Sequence, residues 1–329
     1  NTHSELVGEI FSFYLDESKT PPEHFTGTLT EDKFYYNFFN TINKENFVNK
    51  TLLSGIYDLP AKDQMADYLR DFEGSPKPLD SLPILLNNLD YDTRYFFPIQ
   101  IHDNERWMHS YLGFQSVEAG NADPMKLSVK GKAKERIEQD KNAFSRLNKA
   151  ITAKAQLEQP FFFTLATSLG HTPYVDVRAE EVKKSEGPLS RNQTVKAMVK
   201  VVDEMIGTVI DHLEKLNMLD DTILVITGDH GVRSTAEDPT IDLRFVNERS
   251  FNVPLLIHYP KVFKHTFEIE QLTSHIDVIP TILKLMGRWN DNDYLHQGLP
   301  LSDPRISERT TFFLGGHYFG SSALHQQDQ

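Results

Sequence analysis

Asp229 and His230 stand side by side in the stretch Ile223–Arg233. The preceding residues Ile223–Thr227 are apolar or β-branched, which favours a buried strand of a parallel sheet, and Gly228 ends that strand. Open α/β sheets bind their ligands at the carboxyl ends of such strands. A carboxylate and an imidazole there offer one oxygen and one nitrogen ligand to a divalent metal. The plainer alternative is a polar surface turn with an exposed histidine.

Two further polar side chains follow a glycine at the end of an apolar run. Glu9 follows Gly8 after a short run, and His171 follows Gly170 after the stronger strand pattern of residues 160–168. Their positions suggest the same ligand-binding edge of the sheet. Taken alone, Glu9 also fits a solvated carboxylate, and His171 a structural hydrogen bond.

The pattern of apolar residues predicts the elements that would position these side chains. From Thr194 to Leu216 apolar residues recur at helical spacing over about six turns, directly before the Asp229 strand. A helix that leads into such a strand is typical of a βαβ unit. Further strands are predicted at residues 93–101 and 253–258. We therefore expect an α/β fold with a doubly wound, mostly parallel central sheet flanked by helices.

Two other segments have the character of helices. Residues 81–89 form a short amphipathic pattern, and residues 126–156 are rich in charge and poor in large apolar side chains. The second segment is expected to be a solvated helix or a surface excursion.

Composition restricts the function classes. The chain has 329 residues, no cysteine and a formal net charge of −13. The negative charge argues against nucleic acid or an anionic membrane as the main partner, although a bound cation would still allow an anionic substrate. Without cysteine there is no disulfide framework or thiolate site. We find no signal peptide and no apolar run of about 18 residues, so the chain is either soluble or a fragment of a longer protein.

Seven stretches together resemble the sulfatase-like family of the alkaline phosphatase superfamily. The pattern is most similar to the branch of lipoteichoic acid synthases, phosphoglycerol transferases and phosphoethanolamine transferases. The matching stretches are Leu6–Glu9, Leu52–Gly55, Leu86–Phe114, Pro160–Tyr174, Met205–Arg233, Val253–Leu256 and Ser274–Thr281. The resemblance implies one alkaline phosphatase-like catalytic domain over residues 1–329, truncated at one or both ends if the chain is a fragment.

The family's chemistry is attack by a metal-bound side-chain nucleophile on a phosphate or sulfate ester, followed by transfer to water or an alcohol. The resemblance implies that Glu9, Asp229 and His230 are ligands of one divalent metal, with Zn or Mn favoured over Mg or Ca. It further implies that Arg106, His171 and His275 contact the anionic substrate. His171 would either protonate the leaving alkoxide or simply hydrogen-bond a negative oxygen.

The nucleophile is where this chain departs from the family. In the family a threonine or serine, or in sulfatases a modified cysteine or serine, precedes the glycine that corresponds to Gly55. The family spacing leads from Gly55 back to Glu45, which is no alkoxide nucleophile. Thr41 could take the role if this loop is longer here, whereas Thr51 lies inside a predicted helix.

Three functions therefore stay open at the level of sequence. The first is an active metal-dependent hydrolase or transferase on phosphate or sulfate esters. The second is a degenerate, inactive member that uses the fold for binding or assembly, and the third is an unrelated two-metal phosphatase. For the first, the resemblance implies a lipid or glycan ester as substrate. It also implies a location in the periplasm, outside the cell or on the outer face of the cytoplasmic membrane, with the cytoplasm as the alternative. A segment outside this chain could bring the protein close to the membrane.

Overall fold

The computed structural model describes residues 80–101, 103–121, 133–170, 174–228, 253–266, 268–269, 271–290, 296–313 and 323–326. These residues belong to two compact units, each assembled from separate stretches of the chain. Among the described residues, the first unit contains 89–106 and 114–222, and the second contains 80–88, 107–113 and those from 223 onward. The expectation of one catalytic domain over residues 1–329 stays a prediction.

A three-stranded parallel sheet is the centre of the first unit. Its strands are β1 (Asp92–Phe97), β2 (Ser116–Ala119) and β3 (Phe161–Leu165), in the order β2-β1-β3. Tyr95 and Phe96 of β1 are almost completely buried, as expected for a central strand with covered faces. The parallel sheet flanked by helices that the sequence predicts is thus confirmed.

The helix α3 (Ala133–Leu157) corrects the prediction of a solvated charged segment. Its buried face contains Phe144, Leu147 and Ile151 together with three charged residues, Arg136, Asp140 and Lys154. Charge content is a poor guide here because these charged groups have partners inside the unit. Lys154, for example, forms an ion pair with Asp92 at the start of β1.

The helix predicted from Thr194 is α5 (Arg191–Lys215), which follows the short helix α4 (Glu180–Glu186). It begins earlier than predicted because Ser190 and Gln193 form a reciprocal capping box. The apolar face is buried as the spacing predicts, with Met198, Met205 and Leu213 among its most covered residues. A 3₁₀ turn, Leu219–Asp221, follows it.

Asp203 is a buried carboxylate on α5, and its Oδ1 atom has no hydrogen-bond partner among the described residues. Burial, helped by the neighbouring charge of Glu204 and opposed by Lys200, raises the pKa of Asp203 to about 6. The folded state therefore disfavours the ionised form. The contribution of protonated Asp203 to the stability of the folded state is complete below the ordinary aspartate pKa. It is lost as the pH rises through about 6.

We expect Asp203→Asn to stabilise the protein by about 1–2 kcal/mol at about pH 8 and to have a much smaller effect at about pH 4.5. Urea unfolding of parent and variant across this range measures the difference. Asp211→Asn, on the exposed side of the same helix, is the matched control and should follow the parent. A free-energy difference between parent and Asp203→Asn that does not change with pH would contradict the prediction.

The second unit contains two antiparallel strand pairs. Strand β4 (Leu224–Thr227) pairs with β5 (Leu255–His258), and β6 (Thr310–Phe313) pairs with β7 (Ala323–Gln326). The sequence predicts β4 as a buried strand of a parallel sheet. Its four residues are instead half-buried, and its described pairing is antiparallel. An apolar run marks a strand but does not encode the direction of its partner, which explains the error.

The other helices within the described residues are short. They are α1 (Leu82–Asn87), α2 (Asp103–Tyr111) and α6 (Val278–Leu285), with 3₁₀ turns at His275–Asp277 and Pro304–Glu308. Helix α1 matches the amphipathic pattern predicted at residues 81–89. Within the described residues, none of the helices combines the length and the apolar character that a bilayer crossing requires.

Candidate functional site

Gly228 ends β4 and directly precedes the predicted metal ligands Asp229 and His230. Its backbone N–H donates to the carbonyl of Pro254 at 3.4 Å, and its own carbonyl accepts a hydrogen bond from Nε2 of His275 at 3.0 Å. A Cβ atom at this position would lie 3.2 Å from the Val253 side chain, which is tighter than ordinary packing. Both backbone groups of Gly228, the residue before the predicted ligand pair, are therefore hydrogen-bonded. Glycine suits this position because a Cβ atom would crowd the Val253 side chain.

His275 lies in the 3₁₀ turn His275–Asp277 and is completely buried. Burial lowers the pKa of His275 to about 3, while the hydrogen bond to Gly228 acts in the opposite direction. The imidazole is consequently neutral near pH 7 and carries its proton on Nε2, because a carbonyl oxygen can only accept. This hydrogen bond joins the His275 side chain to the backbone of Gly228. A direct contact of His275 with substrate stays a prediction.

Asp277 connects three segments around this turn. Its buried carboxylate accepts hydrogen bonds from the backbone N–H groups of Ser274 at 2.8 Å and Leu299 at 2.9 Å, and it forms a two-pronged ion pair with Arg309. The sequence patterns assign no role to Asp277 or Arg309. The Ser-x-x-Asp spacing of Ser274 and Asp277 is a capping signal that could have identified Asp277, whereas no local signal identifies Arg309.

A glycine also brings the neighbouring segment onto this turn. A Cβ atom at Gly298 would lie 2.0 Å from the carbonyl oxygen of Ile276. The backbone around residue 298 therefore lies directly against the 3₁₀ turn, at a distance that only glycine permits.

In the first unit, two side chains of α3 form hydrogen bonds with the residues that follow the carboxyl end of β3. Asp140 of α3 is completely buried and accepts hydrogen bonds from both Ser168 and Leu169. Arg136, one turn earlier on α3, donates to the carbonyl of Ser168. Burial raises the pKa of Asp140, and the hydrogen bonds from Ser168 and Leu169 oppose that shift. This cluster precedes the predicted residue His171 and was not identified from the sequence.

Arg106 lies on α2 with an exposed side chain. Its Nη1 donates to the carbonyl of Val117 in β2 at 2.9 Å. This contact places the guanidinium beside the edge strand of the parallel sheet. A role of Arg106 in binding substrate anions stays a prediction.

The other predicted site residues lie outside the described part of the chain. They are Glu9, Thr41, His171, Asp229 and His230, together with the alternative Glu45. Among the described residues there is no group of three or more His, Asp or Glu that could hold a metal. Glu9, Asp229 and His230 stay the predicted metal ligands. Two carboxylates and one imidazole form a donor set that suits Zn or Mn.

Comparison with known proteins places the chain in a family. Residues 36–288 match the family described as Sulfatase. One curated relative, N-acetylglucosamine-6-O-sulfatase of Bacteroides thetaiotaomicron, is 38% identical over 91 residues, which are 28% of this chain and 16% of that protein. Most of the other curated relatives are also sulfatases. The chain thus spans only a small part of the length of the first of these relatives.

Two solved structures share the fold at low sequence identity. The lipoteichoic acid synthase LtaP of Listeria monocytogenes has a TM-score of 0.60 and 16% identity, with 91% of this chain and 81% of that chain covered. An alkaline phosphatase superfamily protein of Vibrio parahaemolyticus has a TM-score of 0.60 and 16% identity, with 100% and 85% covered. The fold is therefore alkaline phosphatase-like. Since the family match includes most of the chain, this protein belongs to the sulfatase family.

Proposed function

We propose that this chain carries the metal-dependent catalytic machinery of an ester hydrolase, with sulfate esters as the first substrate class and phosphate esters as the second. The observation that carries the proposal is how the backbone is held at the end of β4. Gly228 is held by Pro254 and His275 one residue before Asp229 and His230, inside the segment that matches the sulfatase family. The preference for sulfate rests on the sulfatases among the sequence relatives.

In this proposal Glu9, Asp229 and His230 hold one divalent metal, Zn or Mn. Such a metal would polarise the ester oxygen and lower the pKa of a coordinated hydroxyl. The chain has no cysteine, so the nucleophile would be a side-chain hydroxyl, and Thr41 is the candidate.

The proposed substrate contacts are Arg106, His171 and His275. Arg106 and His171 would neutralise the anionic oxygens of the ester, and His171 would protonate the leaving alkoxide. The hydrogen bond of His275 to Gly228 supports a further role, in which His275 holds the residue that precedes the proposed metal ligands.

Two details of the proposed reaction are the identity of the natural ester and the molecule, water or an alcohol, that accepts the transferred group. A glycan sulfate is favoured by the name of the glucosamine sulfatase relative. A phosphoglycerol or phosphoethanolamine transferase, in which an alcohol replaces water, is supported by the sequence patterns described above. The likeness to LtaP shows the fold alone at 16% identity. Because the sequence patterns resemble those of the transferase branch, we also propose that the protein is located outside the cytoplasmic membrane.

A second candidate function is binding or assembly by a catalytically inactive family member. The specific observation that favours it is Glu45, which occupies the position expected for the nucleophile. A glutamate could ligate the metal but would not form the alkoxide that attacks the ester.

The proposal is tested with the purified chain, first treated with a chelator and then supplied with Zn²⁺, Mn²⁺ or no metal. The substrates are para-nitrophenyl sulfate, bis(para-nitrophenyl) phosphate and para-nitrophenyl phosphate. We expect turnover only with metal, because the bound cation stabilises charge that develops on the ester oxygens. We expect the sulfate to react fastest because the sequence relatives include sulfatases. Thr41→Ala should remove this turnover, and Glu45→Gln should leave it. Absence of metal-stimulated turnover on all three esters would favour the inactive alternative.

A further inference from the structure

The turn that follows β3 is held by a carboxylate from helix α3. Oδ1 of Asp140 accepts the backbone N–H of Ser168 at 2.9 Å and the Ser168 hydroxyl at 2.8 Å, and Oδ2 accepts the N–H of Leu169 at 2.8 Å. Both oxygens of one carboxylate are therefore engaged by two consecutive residues of the turn. This arrangement fixes the direction of the backbone more firmly than a single hydrogen bond would.

Arg136 supports the same turn from the other side of the peptide unit. Its guanidinium donates to the carbonyl of Ser168, so α3 contacts both the N–H and the carbonyl of that residue. The buried side chain of Leu169 anchors the turn further. Gly170, with φ of +100°, then turns the chain in a conformation that other residues rarely adopt.

Burial of a carboxylate and a guanidinium costs free energy unless both are well partnered. An apolar pair would pack against the sheet at less cost, so the charges require an explanation beyond helix packing. The contacts of Asp140 and Arg136 converge on Ser168 and Leu169, and the next residue after Gly170 is His171.

We propose that Asp140 and Arg136 are positioning residues that fix the turn from which His171 reaches the substrate. This inference rests on the proposed function of His171 as substrate contact and proton donor. Neither Asp140 nor Arg136 is expected to touch substrate. Their effect on the reaction passes through the backbone of Ser168 and Leu169.

The principal variant is Asp140→Asn. An amide has only one acceptor oxygen, so one of the two backbone N–H groups would face an NH₂ donor. We expect kcat/KM on the best ester to fall about 10–100-fold, as when a group that orients a functional side chain is lost. Ser168→Ala removes only the hydroxyl hydrogen bond and should give a smaller decrease. It also serves as the milder variant if Asp140→Asn folds poorly.

Two controls separate positioning from general loss of stability. Leu147→Ala, at a buried position of the same helix, should lower the Tm because it leaves a cavity in the core. It should nevertheless keep kcat/KM within about 2-fold of the parent, because it leaves the turn intact. In a His171→Ala background, Asp140→Asn should cause almost no further decrease in the residual turnover. Independent, additive effects of the two substitutions would overturn the proposal.

A measurement without turnover distinguishes this proposal from the proposed function. In the parent the amides of Ser168 and Leu169 should be protected from hydrogen exchange, and Asp140→Asn should expose them and shift the NMR signals of the His171 ring. Leu147→Ala should leave those ring signals in place. If the ring signals respond equally to both substitutions, the positioning role is wrong. If they respond as expected in a protein without esterase activity, only the proposed function fails.

Discussion

Asp229→Ala is expected to reduce metal-stimulated ester turnover by about 10³-fold or more, equivalent to about 4 kcal/mol of transition-state stabilisation. The proposed site has one imidazole and two carboxylates, so loss of Asp229 removes half of its negative charge as well as one ligand. The backbone before Asp229 should stay fixed in this variant, because the Pro254 carbonyl accepts from the N–H of Gly228 and the His275 imidazole donates to its carbonyl. The loss should therefore come from the metal and not from a displaced loop.

Metal affinity gives a second measurement of the same variant. A metal that binds only the folded state at about 100 times its Kd stabilises the protein by about 2.7 kcal/mol. We expect Zn²⁺ or Mn²⁺ to raise the Tm of the parent and to leave that of Asp229→Ala nearly unchanged. Asp220→Ala, at an exposed carboxylate of the turn before β4, is the matched control and should keep both turnover and the Tm shift. Parent-like turnover in Asp229→Ala would rule out Asp229 as a ligand.

Asp277→Ala is expected to lower the free energy of unfolding by about 3–5 kcal/mol. The carboxylate is completely buried and serves Ser274, Leu299 and Arg309 together. Alanine leaves two backbone N–H groups without this acceptor and removes the counter-charge of an arginine whose side chain is only 14% exposed. Because Asp277 ends the turn that begins at His275, the contact of His275 with Gly228 should also weaken.

The same unit offers a matched control for this second prediction. Asp303 likewise accepts a backbone N–H, that of Arg305, and pairs with the guanidinium of that residue. The Arg305 side chain is 51% exposed, so water can replace what the carboxylate supplied. We expect Asp303→Ala to cost about 1 kcal/mol. Chemical unfolding of both variants measures the contrast, and equal losses would show that burial of Asp277 does not decide its contribution.

Local patterns in the sequence determined the secondary structure of the described chain well. The apolar spacing from Thr194 predicts α5, and the aromatic and β-branched runs predict β1 and β3, since each pattern reflects which side of a helix or strand is covered. The same residues carried the family resemblance, which the match over residues 36–288 supports at the level of the sulfatase family. The roles of the polar residues that follow these strands stay predictions.

Pairing between distant segments was decided by the tertiary structure. The hydrogen bonds of Asp140 with Ser168, of Asp277 with Arg309 and of His275 with Gly228 join residues 28, 32 and 47 positions apart. The antiparallel pairing of β4 and the burial of charged residues on α3 likewise depend on contacts between distant segments. A charged residue looks alike in the sequence whether water or a distant partner satisfies it. Only packing selects between the two, because a buried charge is tolerated only where the fold brings a partner to it.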